Sequence, residues 1–186
     1  MKTYTTDPNV NTVLNFWFSD KNKSFWFVKS DDFDREITEK FGYLIDKAGA
    51  GELWDWRMDS YGRLAEILIL DQFSRNVYRN TSKSFLYDNV ALVLAQEAVN
   101  QPSFDDLPAD FKKFTIMPFM HSENLNIHKR AVKLFQALGD DATLDFEYQH
   151  KVIIERFGRY PHRNSILGRI STQEENAFLS QPHSSF

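Results

Sequence analysis

The sequence predicts an all-α protein, an antiparallel array of about eight helices. Apolar residues recur at i, i+3, i+4 and i+7 along most of the chain. No segment sustains the apolar–polar alternation of a strand between turn dipeptides. Short connections between the amphipathic stretches favour neighbours that run antiparallel. With 186 residues, no linker and no low-complexity tract, residues 1–186 read as a single all-helical domain. No repeat recurs at a fixed period.

Asp7-Pro8 opens the first helix, because Asp is a good N-cap and proline at the first position gives up an N–H that lacks a partner anyway. That helix turns Val10, Val13, Leu14, Trp17 and Phe18 to one side. Ser30 or Asp31 opens the second, with Phe33, Ile37, Phe41, Leu44 and Ile45 inward, and Ala48-Gly49-Ala50-Gly51 stops it. The third runs from about Ser60 to Phe73, and its Leu64, Ile67, Leu68 and Leu70 leave little polar face, the mark of a central helix. A fourth covers about Asp88 to Asn100, ahead of Pro102.

Pro108 opens a short helix toward Met117, which Pro118 is expected to interrupt. Two long helices follow, about Glu123 to Leu138 and Thr143 to Phe157, separated by Gly139-Asp140-Asp141. Ser122 is the expected N-cap of the first, with Glu123 in its opening turn favouring the positive helix end. Leu134, Phe135 and Leu138 are expected to face Phe146, Val152 and Ile153. Thr172-Gln173-Glu174-Glu175 has the capping-box pattern and starts the closing helix. The 17 Phe, 7 Tyr and 4 Trp, crowded toward the first third, read mostly as core.

Composition excludes several functions. There is no cysteine, hence no disulfide, iron–sulfur cluster, thiol nucleophile or Cys-ligated zinc. A formal charge of −4 disfavours non-specific nucleic-acid and anionic-membrane binding. The first residues lack a signal-peptide pattern and no apolar run is long enough for a bilayer, so a soluble, cytoplasmic protein is expected. A nucleophile elbow, a Walker loop and a dinucleotide-binding glycine motif are all absent.

Three polar segments look unlike packing. The first, residues 70–79, ends the most apolar helix and offers Asp71, Gln72, Arg75 and Asn76, either as a polar C-terminal cap or as a hydrogen-bond network. The second, residues 117–124, delivers His121 on a proline-bent apolar stretch, where an imidazole needs partners and can titrate near neutrality. The third holds His150, Arg156, Arg159, Tyr160, His162, Arg163, Asn164 and Arg169. Residues 150–170 carry five Lys+Arg and one acid, so this stretch is +4 while the rest of the chain is −8. Gly158 and Pro161 break the helix there, and planar Arg forks suit carboxylate or phosphate. The same arginines could instead pair internally with Asp71, Glu123 and Glu155.

Glu147-Tyr148-Gln149-His150 places a carboxylate and an imidazole on one side of a helix, but a second such motif, needed for a di-iron bundle, is absent. No metal site or cofactor is assigned. A site from His121, His150 and His162 has no support from spacing alone.

Together these segments resemble a bacterial family, domain of unknown function 924. The likeness rests on Leu-Asp-Gln-Phe-x-Arg-Asn (70–76), Pro-Phe-x-His-Ser-Glu (118–123), His150 with Arg-Phe-Gly-Arg-Tyr-Pro-His-Arg-Asn-x-Ile-Leu-Gly-Arg (156–169) and the tail 171–179. It extends from about Val13 to Leu179. The resemblance implies an all-helical, tetratricopeptide-like fold and no established activity. Ser74 stands where the family usually has proline, and Tyr160 where it usually has Phe.

The expected function is the binding of a small anionic or polar molecule in a concave pocket. Arg75, Arg159 and Arg163 would hold the anion, with Gln72, Asn76 and Asn164 orienting it. His121, His150, His162 and Asp71 are the candidates for proton transfer if chemistry occurs. The alternatives are a tetratricopeptide-like scaffold binding an acidic peptide, a homodimer, or a hydrolase or metalloenzyme built on histidine and carboxylate.

Overall fold

A computed structural model describes residues 1–182 and 184. Its described residues form helices and turns without a strand. Eight of its α-helices have seven residues or more, matching the expected array: α1 (Pro8–Trp17), α3 (Asp31–Gly49), α4 (Ser60–Leu68), α6 (Asp88–Ala98), α7 (Ala109–Met120), α8 (Leu125–Leu138), α9 (Asp141–Phe157) and α10 (Gln173–Leu179). Single turns make up α2 (Asp20–Lys23) and α5 (Ser74–Val77). Two compact units result, residues 1–79 with 83–118, and residues 80–82 with those from 119 onward.

In the first unit the expected stripes are buried: Val13 and Leu14 of α1, Ile37 and Ile45 of α3, and Leu64, Ile67 and Leu68 of α4 have no exposed surface. Asp7 caps α1 by accepting from the Asn9 and Val10 amides, and Ser30 caps α3 through the Phe33 amide. Trp17 sits at the centre of an aromatic cluster with Trp26, Phe33, Phe73 and Phe114. Not every ring is core, however: Phe27 and Trp54 are largely exposed. Glu66, the one charge in the apolar run of α4, is sealed inside and held by both nitrogens of the Arg57 fork at 2.6 and 2.7 Å.

Two local expectations fail in this unit. The third helix is unbroken but not α-helical throughout: Ile69–Phe73 widens into a π-helical turn, and the Ser74 amide reaches back five residues to the Ile69 carbonyl. The carbonyls this step leaves over are taken by side chains, Leu70 O by Ser74 Oγ at 2.5 Å and Asp71 O by Arg75 at 2.6 Å. Nor does Pro118 interrupt its helix, for it lies inside α7.

The second unit is built on α8 and α9, joined by Gly139 at φ 74° and by Asp140, whose side chain accepts from the Thr143 amide. Ile153, Ile154 and Tyr160 form its core, with Leu125, Phe157 and Phe178 packed against them. Phe146 and Val152 do not face α8 as expected, since both are more than half exposed. The cap of α8 is Asn124 rather than Ser122, and its side chain accepts from the Asn126 amide. Glu123 therefore lies outside the helix and is free for another role. The Thr172–Glu175 capping box is complete.

Candidate functional site

The second unit holds four of the chain's five histidines, three of them packed around one ring; the fifth, His183, lies outside the described residues. The Glu-x-x-His spacing of α9 puts Glu147 and His150 on its buried side. Gly158, in the left-handed conformation at φ 69°, ends α9 and turns the chain so that Tyr160 enters the core. A short 3-10 turn, Pro161–Arg163, then fixes His162 and Arg163 next to it. The ring centroid of Tyr160 lies 6.3 Å from that of His128, 5.7 Å from that of His150 and 5.5 Å from that of His162. The Arg163 guanidinium sits 4.8 Å over the same ring, in cation–π range, and donates to the His121 carbonyl at 3.1 Å.

The hydrogen bonds fix most proton positions. Tyr160 Oη donates to Met120 O at 2.6 Å, which leaves its oxygen to accept from His128 Nε2 at 3.1 Å. His128 Nε2 also lies 2.8 Å from Ser122 O, and a carbonyl only accepts, so this nitrogen carries hydrogen. The other nitrogen, Nδ1, lies 2.8 Å from Glu147 Oε1, and both side chains have no exposed surface. Burial pushes the Glu147 carboxyl above its ordinary range, against the opposing pull of His128. Its second oxygen, Oε2, meets no donor among the described residues. His150 donates through Nδ1 to Phe146 O at 2.7 Å, so its neutral form keeps Nε2 as an acceptor. Burial, seconded by His121, His128 and His162, pushes it down to about 3.

The basic turn is largely matched. Arg159 grips both oxygens of Glu175 at 2.6 and 2.8 Å, and this contact holds Glu175 well below the usual carboxylate range. Arg169 does the same to Glu123 at 2.6 and 2.9 Å, while the Tyr160 amide donates to Glu123 at 2.7 Å. Burial works against ionisation of Glu123, but these donors outweigh it and its pKa falls. Asn164, 1% exposed, donates to Ser171 Oγ at 3.0 Å. Of the internal pairings weighed from sequence, Arg169 with Glu123 forms, whereas Glu155 pairs with Lys151.

The remaining candidates belong to the first unit. Asp71 is buried in the π-helical turn, where Gln72 Nε2 donates to its Oδ2 at 2.5 Å. Arg75 spans Asp71 Oδ1 at 3.3 Å and Asp88 Oδ2 at 3.0 Å. Asn76 joins a different group, donating to Asp34 Oδ1 at 2.7 Å beside Arg79. Two clefts in this unit, of about 280 and 260 Å³, are lined by Met58, Ser60, Tyr61 and Ser103 and by Thr5, Asp7, Asp55 and Trp56, and by none of the candidates.

Sequence reasoning overlooked His128. Its signal was present, since it shares the inward stripe of α8 with Ala131 and Phe135, where an imidazole needs partners. Among the described residues no group of three or more His, Asp or Glu could hold a metal ion. Nor is any helix there long and apolar enough to cross a membrane.

The family model described as a bacterial protein of unknown function (DUF924) matches residues 13–183. The chain belongs to that family. A solved structure of a protein of unknown function from Agrobacterium tumefaciens is similar to this DUF924 chain, with 34% identity and a TM-score of 0.87, over 92% of this chain and 97% of the other. No curated protein matches. Both departures from the usual DUF924 pattern have structural uses. Ser74 supplies the amide and hydroxyl that bond Ile69 O and Leu70 O, and the Tyr160 hydroxyl bonds Met120 O.

Proposed function

We propose that this DUF924 protein binds a small polar or anionic molecule through its second unit, at the turn that follows α9. The observation that carries this reading is the convergence of His121, His128, His150 and His162, from three separate stretches of sequence, on Tyr160 and Arg163. Packing alone does not call for such a cluster, because each buried imidazole must be given hydrogen-bond partners. Imidazole nitrogens beside a guanidinium offer hydrogen-bonding groups to a polar guest. Arg163 is the anion-holding residue, with His121, His150 and His162 as its neighbours. Arg159 supports the turn from behind through Glu175.

A thermal-shift panel of small carboxylates, phosphates and sugars tests this on wild type and on Arg163→Lys and His162→Gln. A ligand at one hundred times its Kd stabilises by about 2.7 kcal/mol. That gain should shrink sharply in both variants. Compounds that shift all three proteins equally would overturn the assignment.

A second reading, a helical interaction scaffold of tetratricopeptide type, draws support from Leu86, Val90 and Val93. These apolar residues follow helical spacing and remain exposed. Concentration-dependent self-association, abolished by Val93→Glu, would favour it.

A further inference from the structure

Glu175 is the one buried residue of α10, and it is a carboxylate, 2% exposed. Four donors meet it. Arg159 Nε and Nη2 lie 2.6 and 2.8 Å from its two oxygens, Asn164 donates to it through Nδ2, and the Thr172 amide donates at 2.7 Å. The Thr172 bond belongs to the capping box and travels with the helix. The other three come from the turn after α9. A bidentate guanidinium beside an amide donor is an arrangement that recognises a free carboxylate as readily as a side chain. Arg159, foremost among these contacts, holds Glu175 down to about 2.

Little else holds α10. It has seven residues, too few for a helix to persist unaided. Phe178 and Leu179 are only half-buried, Phe178 resting on Phe157 with 5.1 Å between ring centroids. The Arg156–Glu174 pair is exposed and contributes little. An element with so few buried apolar contacts opens locally before the whole structure does. When α10 lifts, Glu175 leaves with its capping box, while Arg159 and Asn164 stay on the turn. Asn164 adds a demand that Glu175 does not meet. Its Oδ1 accepts no hydrogen bond among the described residues although Asn164 is 1% exposed, and an ionised carboxylate has no hydrogen to give.

We propose that Arg159 and Asn164 form a carboxylate-binding site in which Glu175 is a tethered stand-in, and that a ligand carboxylate enters by displacing it. This deepens the reading of the turn as a ligand site and rests on it. Because α10 packs against Pro161–Arg163, its departure opens the turn to which that ligand was assigned. The closed form is then the self-occupied one, and the ligand competes with the chain's own glutamate.

Chemical rescue of the full chain tests the proposal, with acetate as the probe. Chloride at equal ionic strength is the control, since salt alone screens the Arg156–Glu174 pair. Glu175→Ala should melt below wild type, and acetate should raise its Tm by about 3–6 °C at ten times its Kd. Adding Arg159→Gln to that variant should abolish the rise. Should Glu175→Ala not fold, Glu175→Gln takes its place, because the amide keeps the shape and loses the charge. In wild type, acetate should speed hydrogen exchange at the Asn176 and Ser180 amides, which bond Thr172 O and Asn176 O, and leave Ile153 and Ile154 protected. Acetate and chloride acting alike on the Glu175 variant, or a rise that survives Arg159→Gln, would overturn the proposal. So would wild-type α10 amides that exchange no faster than those of Ile153 and Ile154. In either case an Arg163-dependent compound in the broader thermal-shift panel would leave the ligand site standing. A silent panel strikes that site without touching the acetate result.

Discussion

Glu147 Oε1 lies 2.8 Å from His128 Nδ1, with both side chains sealed from solvent. Because Nε2 keeps its hydrogen for Ser122 O, this contact holds one proton between two groups. An ionised Glu147 would leave Oε2 as a bare, buried, charged oxygen, whereas a neutral acid leaves only a carbonyl-like one. The shared proton therefore belongs on Glu147.

Glu147→Gln should accordingly be mild, within about 1 kcal/mol, since the amide keeps shape, neutrality and a donor for Nδ1. Glu147→Ala should cost about 2–4 kcal/mol, combining a cavity with a bare imidazole nitrogen. Urea unfolding of both variants measures the difference. Equal losses would show that Glu147 acts as a carboxylate.

His150 should make the protein acid-sensitive well above the carboxylate range. Its folded value is about 3 against an ordinary 6.5, so between these the unfolded chain binds the extra proton. Stability should thus be intact above pH 6.5 and fall as pH drops, by about 2 kcal/mol at pH 5 from this residue alone. His150→Gln should flatten the slope between pH 7 and 5. An unchanged slope would assign it elsewhere.

Gly62 and Gly42 should respond oppositely to alanine. A Cβ on Gly62 would stand 1.9 Å from the Trp56 carbonyl oxygen, so backbone has to move. Gly62→Ala should cost roughly 3 kcal/mol or more, beyond the usual range for overpacking. At Gly42, in mid-α3, the nearest atom would be Thr38 Cγ2 at 3.9 Å, and Gly42→Ala should stabilise by about 0.5–1 kcal/mol. Thermal melts of the pair provide the check.

Glu123→Ala should release two elements at once. Arg169 loses its bidentate partner and the Tyr160 amide its acceptor, for an expected loss of about 1–3 kcal/mol. Faster amide exchange at Tyr160 is the specific sign. Protection at Tyr160 equal to wild type would show that the contact does not order the turn.

The sequence disclosed whatever depends on near neighbours. Asp7, Ser30, Gly139, Gly158 and the Thr172–Glu175 box are local chemistry, and each does what its residue type suggests. That Glu147 and His150 share one side of a helix followed from their spacing. What stayed hidden depends on distant partners. Glu123 could be read either as a first-turn acid or as an arginine partner, and nothing local selects Arg169, which is 46 residues away. The π-helical turn differs from an α-turn by one residue, and side chains of Ser74 and Arg75 secure it, a choice that apolar periodicity does not register.

That one extra residue has a genetic consequence. Everything from Ser74 onward in the helix is aimed by a turn that holds one residue more than its neighbours do. Loss of a single codon between positions 69 and 73 would preserve the reading frame and every remaining side chain. Because what remains would be an ordinary α turn, Arg75 and Asn76 should keep most of their aim toward Asp88 and Asp34, whereas the same loss within the α-helical Ser60–Leu68 would swing them about 100° around the helix. With Ile69 to Phe73 all buried, a one-residue shortening should be tolerated better at this turn than elsewhere in the helix.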